Sequence, residues 1–104
     1  MTQGRPSADN LELPELTRLR GKIEENDRAL VDVIRRRVEL ALEAGRVKRA
    51  AGLAVFDPER EREVELRVLE RARGYGLDEA HMRLVVRGLI ALSRSSQEDE
   101  GSET

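Results

Sequence analysis

The stretch from Leu16 to Val47, LTRLRGKIEENDRALVDVIRRRVELALEAGRV, decides the architecture. Within it Leu16, Leu19, Ile23, Asn26, Leu30, Val33, Arg37, Leu40, Ala44 and Val47 follow a 3-4-3-4 spacing without a break. That spacing sets every member on one face of an α-helix, and over about 32 residues it makes a heptad seam roughly 48 Å long. Gly21 and Gly45 weaken the helix locally. The rest of a 104-residue chain cannot cover so long a seam. It needs a partner, and a second copy of the chain is the simplest.

Outward from this helix, residues 1–13 mix Gly4, Pro6, Ser7, Asp9 and Asn10 with little periodicity, and the expectation is a flexible lead. After the helix, Gly52 and Leu53-Ala54-Val55-Phe56 form a connection. Asp57-Pro58 then reads as an N-cap followed by Pro at the first helical position, with Glu59 and Glu61 favourable in the first turn. This second helix carries Val64, Val68, Leu69 and Ala72 on its apolar face and ends at Gly74 and Gly76. Asp78 starts a third, with Leu77 and Met82 spaced as a hydrophobic staple and a stripe of Met82, Val85, Val86, Leu89 and Leu92. No strand-like alternation appears. The expected fold is all-α, with helices over about 15–50, 58–73 and 78–97 in one domain spanning 14–97. Residues 98–104, acidic and polar, are expected to be a loose tail.

Composition narrows the function classes. Charged and hydrophobic residues each make up 38% of the chain, so a lone copy has a thin core, and oligomerisation is a common remedy. With one Phe, one Tyr and no Trp, the aromatic platforms that stack single-stranded bases are missing. A formal net charge of -2 gives no overall pull toward polyanions. Nucleic acid is therefore not the expected partner. The absence of Cys removes disulfides and thiolate metal sites, and His81 has no second His or Cys beside it, so no metal is expected. No apolar run approaches the roughly 18 residues of a membrane span, nor does the N-terminus carry a signal-peptide core. The expectation is a cytoplasmic protein that does not enter membranes.

Chemistry is sought where charge interrupts a face otherwise reserved for packing. Arg37 falls on the seam itself, and Lys48 lies eleven residues further on, about 20° away around the axis and about 16 Å along it. One reading is a snorkelling arginine and a helix-end lysine favoured by the macrodipole. The other is two long cations closing on a small anion between them. Arg20, about 25 Å before Arg37, is too far away to join them within one chain. If two copies of the helix pair antiparallel about residues 31–33, however, Arg20 of one lies opposite residues 42–46 of the other. Each end of such a dimer then gathers three cations. Ser93 and Gln97 form an i, i+4 pair on the stripe of the third helix. Asp57, Arg60 and Glu61 cluster at the start of the second.

Taken in order, these positions resemble the all-helical, AroQ-type chorismate mutase family. The resemblance is carried by Leu19-Arg20-Gly21-Lys22-Ile23, Arg37-Val38-Glu39-Leu40-Ala41 and Gly45-Arg46-Val47-Lys48. It continues in Val55-Phe56-Asp57-Pro58-Glu59-Arg60-Glu61, Gly76-Leu77-Asp78 and Ser93-Arg94-Ser95-Ser96-Gln97, and so spans about residues 16 to 97. It implies an intertwined antiparallel helical homodimer with two shared sites. It also implies a cofactor-free Claisen rearrangement of chorismate to prephenate, on the route to phenylalanine and tyrosine. By the same resemblance Arg20 of the partner chain, Arg37 and Arg60 hold the substrate, chiefly through its carboxylates, and Ser93 adds a polar contact. Lys48 and Gln97 correspond to the donors at the ether oxygen, while Glu61, with the backbone near Asp57, corresponds to the group that orients the ring hydroxyl. Gly21 and Gly88 depart from good helix-forming residues without touching these positions.

Isochorismate-pyruvate lyases and mutases of amino-substituted chorismate share this fold and differ typically around the start of the second helix, where Asp57, Arg60 and Glu61 follow the mutase pattern. A different class of reading is a non-catalytic helical dimerisation module. It accounts for the seam equally well. A complex with another shikimate-pathway enzyme is left open by the sequence.

Overall fold

A computed structural model describes residues 4–5 and 13–102, so most of the expected lead and residues 103–104 lie outside the described residues. Three helices are present: α1 (Pro14–Ala50), α2 (Pro58–Gly74) and α3 (Glu79–Ser102). Among the described residues there is no strand. The chain divides into two units, Met1–Val33 and Ile34–Thr104.

From Pro14 onward the first unit is the N-terminal part of α1. Glu15 places its charge in the favoured first turn of the helix and pairs with Arg18. The seam residues Leu19, Ile23, Leu30 and Val33 are all exposed there. Within the described residues of this unit nothing else covers that apolar surface, and local hydrogen bonds alone stabilise a helix only marginally.

The second unit contains the end of α1 together with α2 and α3. Helices α2 and α3 pack directly against one another. Leu69 and Val86, each 1% exposed, and Ala72 are buried between their neighbours. The sharp ends of α1 and α2 share one device. Gly52, at φ 73°, donates to Arg49 O while Leu53 donates to Lys48 O at 2.8 Å. Gly76, at φ 71°, donates to Arg73 O while Leu77 donates to Ala72 O at 3.0 Å. Each is a Schellman motif, and the left-handed residue at its centre is the one place where glycine has no steric penalty. The caps at the other ends are local too. Asp57 Oδ1 accepts from Arg60 N at 3.1 Å, and Asp78 Oδ2 accepts from His81 N at 2.9 Å.

The third helix corrects one expectation. It does not end near Gln97 but continues through Glu98–Ser102. The loose tail expected over that segment is therefore helical as far as Ser102. Glu100 reaches α1, its Oε1 lying 2.5 Å from Arg46 Nε, and Ser102 Oγ donates back to Glu98 O at 2.9 Å. The Arg49 guanidinium also lies against Gly101, where a Cβ would sit 3.4 Å from Nη1. Partners supplied by α1 hold a turn whose own composition is indifferent to helix.

Candidate functional site

The C-terminal part of α1 meets α3 through hydrogen-bonding side chains. Arg37 Nη1 donates to Ser93 Oγ at 2.6 Å and to Leu89 O at 3.2 Å. Gln97 Nε2 donates to Ala41 O at 2.7 Å. These contacts line one wall of an open cleft of about 480 Å³ within the second unit. Arg37, Lys48, Asp57, Arg60, Glu61, Ser93 and Gln97 all line it, beside apolar Leu40, Ala41, Ala44, Val55, Val64 and Ile90. Residues spread over 61 positions of sequence, on α1, at the start of α2 and on α3, thus reach a single space. Arg20 is not among the lining residues; it is exposed on the first unit's part of α1.

The donors are arranged with capacity to spare. Arg37 uses Nη1 on its two protein acceptors, which leaves the other guanidinium donors for a ligand. Ser93, 6% exposed, fixes that arginine from beneath. Lys48 Nζ donates to Val55 O at 3.3 Å, and its ammonium carries two further hydrogens. Gln97 spends one of two amide N–H groups on Ala41 O, an acceptor that also dictates which end of the amide is the donor on that side. Asp57 is engaged as the cap of α2, while Arg60 Nη1 lies 3.3 Å from Glu63 on the same helix. Among the charged lining residues there are four cations, Arg37, Lys48, Arg60 and Arg94, against two carboxylates, Asp57 and Glu61. A cleft so charged suits a small dianion.

Arg94 is the lining cation to which sequence reasoning assigned no role. It donates from Nε to Glu61 Oε2 at 3.0 Å and pairs through Nη2 with Oε1, and its guanidinium lies 4.4 Å from the centre of the Phe56 ring. The Glu61 hydrogen bond and charge raise the Arg94 pKa. No local spacing could have shown this pair, since its members are 33 residues apart on different helices. His81 sits outside the cleft at 2.5 Å from Asp78. Among the described residues no group of three or more His, Cys, Asp or Glu is placed to hold a metal ion.

Residues 19–98 match the family model for chorismate mutase type II. The chain belongs to that family. It is 36% identical over 90 residues to the T-protein of Enterobacter agglomerans, a match covering 86% of this chain and 24% of that protein. It is 35% identical over 68 residues to the 4-amino-4-deoxychorismate mutase of Streptomyces venezuelae, covering 65% of this chain and 66% of that one. The chain thus spans about a quarter of the length of the first of these relatives and about two-thirds of the second. Within the chorismate mutase type II match fall the whole of the cleft and Arg20 as well. No helix among the described residues is long and apolar enough to cross a membrane.

Proposed function

We propose that this chain is a cytoplasmic chorismate mutase, converting chorismate to prephenate in phenylalanine and tyrosine biosynthesis without a cofactor. The observation that carries the reading is the convergence of Arg37, Lys48, Arg60, Ser93 and Gln97 on one net-cationic cleft that also holds Glu61. The rearrangement is pericyclic: one C–O bond breaks as one C–C bond forms, and the product is an isomer of the substrate. No nucleophile or proton acceptor is consumed. Catalysis then consists of holding a compact conformer and stabilising charge where it develops.

Each residue takes a role its geometry permits. The unengaged donors of Arg37 and the guanidinium of Arg60 clamp the substrate carboxylates, a task for which planar forked donors are suited. Ser93 holds Arg37 and adds a polar contact. Lys48 and the second N–H of Gln97 donate to the ether oxygen as it gains negative charge. Glu61, with the backbone near Asp57, accepts from the ring hydroxyl. Arg20 enters from a second copy, because the exposed seam of α1 calls for an antiparallel partner and its apolar surface is too large to leave in water. Purified protein incubated with chorismate should abolish its ultraviolet absorbance; no turnover by the dimer overturns the proposal.

A second reading has its own support, the 35% identity to a relative named for 4-amino-4-deoxychorismate. Competition between chorismate and that amine separates the two. The reading as a non-catalytic dimerisation module predicts instead that Lys48→Ala and Gln97→Ala alter local stability alone.

A further inference from the structure

Glu61 on α2 and Arg94 on α3 line the cleft together and are paired fork to fork. Such a pairing fixes a carboxylate in two dimensions and occupies one lone-pair direction on each of its oxygens. The arginine is held in turn by the Phe56 face, 4.4 Å from its guanidinium carbon. Neither partner is deeply buried: the Arg94 and Glu61 side chains are 39% and 26% exposed. The remaining lone pairs of Glu61 are free of this contact, so the carboxylate still accepts a hydrogen bond. What it no longer offers is an uncompensated negative charge.

That distinction bears on what the cleft admits. A neutral hydroxyl needs an acceptor, and Glu61 remains one. A primary amine on the same ring carbon is an ammonium near neutrality, and it gains chiefly from net negative charge. Beside Glu61 it also meets the Arg94 cation, whose repulsion offsets much of the carboxylate's attraction. We infer that Arg94 is a specificity-determining residue, neutralising Glu61 so that the cleft takes a ring hydroxyl in preference to a ring ammonium. The inference rests on the proposed mutase reading, in which Glu61 meets the ring substituent.

The test compares kcat/KM for chorismate and for 4-amino-4-deoxychorismate in the full chain and three variants, with helicity followed by circular dichroism. Arg94→Met keeps the stem and removes the charge; the amine-to-hydroxyl ratio should rise about tenfold or more. Arg94→Lys keeps the charge and should stay near the wild-type ratio. Glu61→Gln leaves Arg94 without its counter-charge and should move the ratio the opposite way. If wild-type amine turnover is below detection, its appearance in Arg94→Met is the expected result, and its continued absence overturns the inference. Equal losses on both substrates, the mark of a merely structural arginine, also overturn it, as does a Glu61→Gln ratio that rises. Wild-type failure to convert chorismate is a separate outcome, which sinks the functional reading beneath.

Discussion

Gln97 on α3 donates its amide N–H to the carbonyl of Ala41 on α1 at 2.7 Å, across 56 residues of sequence. The bond takes one amide hydrogen and orients the other, so a neutral side chain becomes a fixed donor in a cationic cleft. Gly45, one turn beyond Ala41, is buried against the same side chain, and a Cβ there would meet Gln97 Cγ at 3.5 Å, an ordinary van der Waals contact. A donor that needs no reorganisation is what charge development at an ether oxygen requires.

Removing that donor should therefore act on rate and not on folding. Gln97→Ala and Lys48→Ala are each expected to lower kcat on chorismate on the order of 10²-fold or more, by analogy with loss of an oxyanion donor. Steady-state kinetics beside an unchanged circular-dichroism spectrum check this. Because the Gln97 amide does not titrate, it should impose no acidic or basic limit on the rate near neutrality.

The proposed sharing of sites between two copies makes a sharper demand. Arg20→Ala chains and Gln97→Ala chains should each be nearly inactive alone, yet regain activity when unfolded and refolded together. A mixed dimer then holds one site in which both residues are native, so random pairing returns about a quarter of the wild-type rate. No recovery, with mixed dimers shown by native mass spectrometry, would place Arg20 outside the site.

The core of the second unit is small enough to be broken by one truncation. Leu69 is 1% exposed on α2 where α3 packs, and Leu69→Ala should cost about 3 kcal/mol through lost transfer energy and a residual cavity. Urea unfolding measures it. A change below about 1 kcal/mol would mean that α2 and α3 close over the gap.

Acid sensitivity should reach α3 through its cap. The backbone N–H of His81, and then its ring, hold the Asp78 carboxyl below the ordinary aspartate range. A carboxylate whose pKa is depressed on folding contributes fully above its unfolded value and loses that contribution as pH falls through the folded one. The Tm advantage of the wild type over Asp78→Ala should hold steady above the ordinary aspartate range and shrink below it. Thermal melts across that window check the sign.

What the sequence determined by itself is what neighbours along the chain decide. The heptad spacing of α1, the Asp57 and Asp78 caps and the glycine-terminated ends all involve groups within about five residues of each other, so composition and spacing were enough to place three helices. Likeness to a family added an ordered set of polar positions, all of which but Arg20 the fold gathers around one cleft. Tertiary structure alone decided the rest. It carried α3 on to Ser102, because Arg46 and Arg49 of α1 supply what Glu98–Ser102 lack in their own propensity. It also paired Glu61 with Arg94, two side chains with no local reason to meet until α2 and α3 closed over Leu69 and Val86. Helical periodicity records which face a residue takes; which residue stands opposite it is settled only when the helices pack.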